Sequence, residues 1–96
     1  MINNNVILTV RDKSDIATVR DLMVEQGRLS REEPGCVRFD VFHSQSDPRI
    51  FILIEQWESE QHLEDHREAR ACTEIYKPKV LPLVDRVPHL CDAILD

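Results

Sequence analysis

His66 is the side chain in this sequence best placed to move a proton. It follows Leu63 by three positions, so both fall on one stripe of a helix. An imidazole whose ordinary pKa is about 6.5 changes charge near neutral pH. Glu55 and Trp57 alternate with Phe51 and Leu53 along one face of an extended run. A carboxylate among apolar neighbours must be paired, or must hold its proton more tightly than usual. Glu55 would then either orient His66 or form a structural ion pair with an arginine. Trp57, the only tryptophan, can stack on a flat aromatic ligand and donate one N–H, or can equally plug a core or a dimer contact. Phe39 and Phe51 would line or fill the same interior. Tyr76 would bring a phenol hydroxyl to its mouth.

Other chemistries find less support. His62 and His66 are four apart and could face one metal ion, but no third ligand follows at matching spacing. No serine or cysteine nucleophile motif is present. Gly27 and Gly35 are the only glycines, too few for a phosphate-cradling loop. Cys36, Cys72 and Cys91 have no paired spacing and read as free thiols of a reducing compartment.

The elements that must position these residues follow from periodicity. Val6, Leu8 and Val10 alternate with Ile7 and Thr9, a strand. Asp12 or Ser14 can cap a helix running from Asp15 to about Glu33, where Ile16, Val19, Leu22, Met23 and Leu29 recur at helical spacing. Pro34-Gly35 ends it. Cys36 to His43 alternates again, with Val37, Phe39 and Val41 expected on one face. After a polar loop, Arg49 to Trp57 contains Ile50-Phe51-Ile52-Leu53-Ile54, apolar on both faces, so both faces should be covered. Ser59 caps a helix to about Ala71. A further helix from Thr73 to Leu83 should be disturbed by Pro78. A closing strand is expected from Arg86 to Leu95, with Pro88 at its start or at an edge.

This order, β-α-β-β-α(α)-β, suits an α+β fold of the ferredoxin-like split βαβ type: a four-stranded antiparallel sheet with helices on one face. The 96 residues make one domain, residues 1–96. A chain this short has too little interior to hide 42% hydrophobic residues, which points to a second copy on the open sheet face, a ligand cavity, or both. A formal charge of −6 speaks against nucleic acid and against anionic membrane surfaces as partners. No segment has the features of a membrane span or a signal peptide, so a cytoplasmic location is expected.

Two segments, EEPGC from Glu32 to Cys36 and IEQWESEQHLEDH from Ile54 to His66, closely resemble the antibiotic biosynthesis monooxygenase family. The match extends over about Met1 to Tyr76 and is nearest to the small quinol monooxygenase type. The resemblance implies a dimeric α+β barrel with a cavity between sheet and helices in each subunit. It also implies oxidation of a small aromatic quinol or phenol by O₂, with no metal or flavin. His66 would be the base, Glu55 or Asn5 would orient groups, and Trp57, Phe39, Phe51 and Tyr76 would hold the ring. Asn5 enters because relatives use an amide near the start of the first strand. The haem-degrading branch carries Trp where this chain has His66, and a His near the start of the next helix where this chain offers only Tyr76. Arg70, Ala71 and Cys72 stand where many relatives place a second His and an aromatic, so a two-histidine mechanism lacks its second member. Two further functions fit the same scaffold: a non-catalytic dimeric small-ligand binder or stress protein, and a cofactor-free isomerase of a small hydroxy-carbonyl metabolite.

Overall fold

The computed structural model describes residues 1–95. Its elements are β1 (Ile2–Val10), α1 (Ile16–Arg31), β2 (Cys36–His43), β3 (Ile50–Trp57), α2 (Glu60–Glu68), α3 (Ala71–Val80) and β4 (Val84–Cys91). Short 3₁₀ turns precede α1 and follow α3. The strands form one antiparallel sheet in the order β2-β3-β1-β4, and the helices pack on one face, the α+β ferredoxin-like arrangement expected.

The caps lie where side-chain chemistry puts them. Asp12 accepts from the Ser14 N–H at 2.9 Å ahead of α1, and the Ser59 hydroxyl accepts from the His62 N–H at 3.2 Å at the start of α2. Gly35 ends the turn after α1 at a φ of 78°, a left-handed conformation that glycine adopts without strain. A Cβ there would also come within 2.2 Å of the His62 ring. Glycine therefore lets the turn after α1 press against the start of α2, and Glu33 and His66 come together across that junction.

Between sheet and helices lies the core. Val6, Leu8 and Val10 from β1 and Phe51 and Leu53 from β3 meet Val19 and Met23 from α1 and Val80 from α3. Pro88 is tolerated because β4 is an edge strand.

Three expectations need correction. Cys36 pairs with Trp57 and Arg38 with Gln56, so Val37 is the extra residue of a β-bulge and is 47% exposed, not a core residue beside Phe39. The last strand starts two residues earlier than expected and stops at Cys91. Its buried residue is Val84, while Val87, Leu90, Ile94 and Leu95 are all exposed. The helix expected from Thr73 is instead α3, wound with the wider i→i+5 hydrogen bonds of a π-helix and containing Pro78. Its buried residues, Ala71, Cys72, Ile75, Tyr76 and Val80, recur every four to five positions. The wider turn keeps that set on one side.

Candidate active site

The inward stripe of α1 begins apolar, with Val19 and Met23, and then turns polar with Gln26 and Ser30; Glu33 follows just beyond the helix. From the sheet, the residues that share a face with Val6 and Leu53 are Asn4, Glu55 and Trp57. His66 comes from α2, and Cys72 and Tyr76 from α3. All of these except Glu33 are buried.

His66 is the hub. Its Nδ1 lies 2.6 Å from Glu33 Oε1. Its Nε2 lies 3.4 Å from Cys72 Sγ and 3.8 Å from Glu55 Oε1. The ring sits against Trp57, with centroids 4.4 Å apart, and near Phe39 at 5.7 Å. The Trp57 indole N–H donates to Glu55 Oε1 at 3.1 Å, and Arg86 Nε donates to the Tyr76 hydroxyl at 3.0 Å.

Burial sets the protonation of these groups. Glu33 is pushed up to about 7, first by loss of water and then by the neighbouring Glu55 charge. Glu55 is raised, again mainly by burial, although hydrogen bonds from Trp57 and Asn4 and the Arg86 charge pull the other way. Burial, helped by Arg67, drives His66 down to about 4. Two carboxylates this close would by themselves favour an imidazolium, but both are themselves held toward their neutral forms. At neutral pH the His66–Glu33 contact thus shares a single proton. When Glu33 is ionised it accepts Nδ1–H, and Nε2 keeps a free lone pair. Cys72 and Tyr76 are each pushed up to about 12, chiefly by burial, so both keep their protons.

A cavity of about 210 Å³ adjoins this cluster. Asn4 and Glu55 from the sheet, Gln26 from α1, His66 from α2, and Cys72 and Tyr76 from α3 reach its wall, and Arg86, Arg67 and Lys77 contribute cationic groups. Of the residues singled out from the sequence, His66, Glu55 and Tyr76 face this cavity. Trp57, Phe39 and Phe51 do not. They are packed behind it, where Trp57 holds Glu55 and His66 in place. Asn5 pairs with Ile54 and His89 on the opposite face of the sheet, so the amide near the start of the first strand that reaches the cavity is Asn4.

Glu33, Gln26, Asn4, Cys72 and Arg86 were not anticipated as cavity or His66 neighbours. For Glu33 and Gln26 a signal exists: positions 19, 23, 26, 30 and 33 continue one helical stripe, and polar residues on such a stripe face the interior. His62, whose Nδ1 lies 2.8 Å from the Ser59 hydroxyl, belongs to the cap of α2. Among the described residues no group of three metal-ligating side chains comes together, and no helix is long and apolar enough to cross a membrane.

The fold is shared with proteins of known structure. No curated protein matches the chain with significance. A solved structure described as an antibiotic biosynthesis monooxygenase superposes with a TM-score of 0.86 at 26% identity, over 97% of this chain and 99% of that one. A conserved protein of unknown function from Bacteroides thetaiotaomicron gives 0.86 at 21%, over 94% of each chain. An asparagine-to-alanine mutant of SnoaB, a cofactor-independent oxygenase from Streptomyces nogalater, gives 0.84 at 13%, over 99% and 94%. These last two show likeness of fold alone. The sequence model of the family described as antibiotic biosynthesis monooxygenase matches residues 1–78, and the chain belongs to that family.

Proposed function

We propose that this protein is a cofactor-independent monooxygenase that oxidises a small aromatic phenol or quinol with O₂, using His66 as general base. One observation carries the reading: a buried, uncharged imidazole, anchored at Nδ1 by Glu33, faces with Nε2 a cavity large enough for a single ring. An apolar cavity of about 150 Å³ already holds a benzene ring. Among the described residues, the hydrogen-bond partner at Nε2 is the Cys72 thiol, a weak donor that a ligand hydroxyl can displace.

The chemistry balances without a further reductant. Nε2 takes the phenol proton, and Glu33 offsets the imidazolium charge. The phenolate gives one electron to O₂, and the resulting radical pair joins at a ring carbon to form a peroxide, which His66 protonates. His66 then takes the proton from that ring carbon, the O–O bond breaks, a carbonyl forms, and hydroxide leaves and is protonated to water. One oxygen atom enters the product and the other ends in water. A positioned base contributes about 10²–10⁴-fold to such a step.

The test is oxygen uptake with a panel of single-ring phenols and quinols. Wild-type uptake should rise as pH passes about 7, because Glu33 must be ionised to hold Nδ1–H. His66→Gln should lose at least 10²-fold, and ¹⁸O₂ should label the product once. Uptake equal to the buffer blank, or unchanged in His66→Gln, overturns the proposal. The packed surroundings of Trp57 favour a second reading, a ligand-binding protein without turnover. Tight ligand binding with no oxygen consumption would select it.

A second copy of the chain as cover for the open sheet face is part of the same proposal. Phe42, Ile52, Ile7 and Val87 pair in register as one apolar row across all four strands. Phe42, Ile7 and Val87 are 52%, 37% and 49% exposed. A two-fold axis through this row sets it against its own image, as an isologous interface requires. Members of this family often dimerise. Ile52→Asp should give monomers or insoluble protein in sedimentation equilibrium, whereas an unchanged soluble dimer would refute this cover.

A further inference from the structure

The side-chain oxygen of Gln26 is buried without a hydrogen-bond partner, although the residue is 1% exposed and its side chain lies in the wall of the cavity that His66 faces. An orphaned buried acceptor costs about 1–3 kcal/mol, so a native core tolerates one chiefly where something else completes it. Nothing in the packing requires glutamine here. The same stripe uses Met23 and Val19 one and two turns earlier, and methionine has nearly the shape of glutamine.

We propose that Gln26 is a specificity-determining residue that receives a second hydroxyl on the ligand ring, so that the cavity selects single-ring diols over single-ring monophenols. This deepens the preceding reading and rests on it: one ring hydroxyl addresses His66 Nε2, the other the Gln26 amide. The cavity's volume of about 210 Å³ leaves room for one ring and its substituents. The chemistry of the amide suits the role. Its terminal torsion is broad and roughly two-fold, so it can turn either oxygen or N–H₂ toward the cavity. The oxygen accepts from a ring hydroxyl, and the N–H₂ donates to the carbonyl that replaces the hydroxyl on oxidation. A carboxylate at this position would serve only the first, and would add a third acidic group beside Glu33 and Glu55.

The decisive experiment measures binding without turnover, by calorimetry under nitrogen. The probes are phenol, catechol, resorcinol and hydroquinone, against wild type and Gln26→Met. Wild type should bind the best of the three diols at least ten-fold more tightly than phenol. Gln26→Met should bring that ratio to within about two-fold of unity, chiefly by weakening the diols. Thermal unfolding of the variant should begin no lower than for wild type, because an unpartnered acceptor has been removed from the core. A merely structural glutamine would lower stability and leave the ratio unmoved. An equal ratio in the two proteins, or a wild type that does not distinguish diols from phenol, overturns the role of Gln26 while the oxygenase reading stands. If wild type binds none of the four probes, both fall together.

Discussion

The layer between sheet and helices has two ends built from opposite chemistry. At one end Val6, Leu8, Val10, Val19, Met23 and Val80 pack without a polar atom among their side chains. At the other stand Asn4 and Gln26, further along the same β1 and α1, together with Glu55 from β3 and His66 from α2, all of them buried. The first end supplies stability by removing apolar surface from water. The second holds ionisable groups in uncharged or partly paired states and leaves the Gln26 oxygen without a partner, all of which is unfavourable for folding. A small domain whose stability is about 5–15 kcal/mol can hold such a cluster only if its other half is well packed. The polar end is therefore best understood as a site the fold supports, not as part of what supports the fold.

The comparison breaks most directly at Leu8. Leu8→Ala removes a fully buried side chain from the apolar end and should cost about 2–5 kcal/mol in urea unfolding. The polar end should respond with the opposite sign and a smaller magnitude. Glu55 has its folded pKa raised by burial, so its contribution to stability is fully present below the unfolded value of about 4.3 and is lost as pH rises. Glu55→Gln, which keeps an oxygen for the Trp57 N–H, should match wild type near pH 4 and exceed it at pH 8. A loss at both pH values would mean that the polar cluster is a stabilising network and would remove the contrast.

The apolar end was the more legible of the two in the sequence. Period-two alternation placed Val6, Leu8 and Val10 on one face of a strand, the face that the structure turns to the core. The apolar run from Ile50 to Ile54 marked a second strand, which pairs on both sides. Ser59 announced α2 by its chemistry. Register was harder to read. Side chains alternate with every residue, so the amide near the start of β1 that meets the cavity is Asn4 and not Asn5, a shift of one position that exchanges the two faces. The bulge at Val37 likewise has no marker in alternation, which simply assigned it to the face of Phe39 and Val41. Hydrophobicity misled at the end of the chain. Leu90, Ile94 and Leu95 look like a closing strand's core, yet they are exposed: Leu90 lies on β4, an edge strand, and Ile94 and Leu95 lie beyond its end at Cys91.

The site was legible in its centre and not in its setting. His66 and Glu55 could be singled out because a lone histidine on an inward stripe, and a carboxylate on an apolar strand face, conflict with their surroundings. Glu33 escaped notice because it follows the end of α1, in a turn where acidic residues are usually solvated. Its role arises only when Gly35 folds that turn against α2. Trp57 was expected to hold a ligand, but its indole is spent on Glu55 and its ring on His66. Such pairings depend on contacts between elements far apart in the chain, which neither spacing nor composition encodes.

The central claim is that His66 is a neutral base, protonated at Nδ1 toward Glu33 and free at Nε2 toward the cavity. Nitrogen-15 NMR of the His66 ring, recorded from pH 5 to 8, addresses it without any substrate. The account predicts no imidazolium signal at any point in that range, and above pH 7 a ring carrying its single proton on Nδ1. A ring protonated on both nitrogens at pH 7, or carrying its proton on Nε2 above that pH, would contradict it.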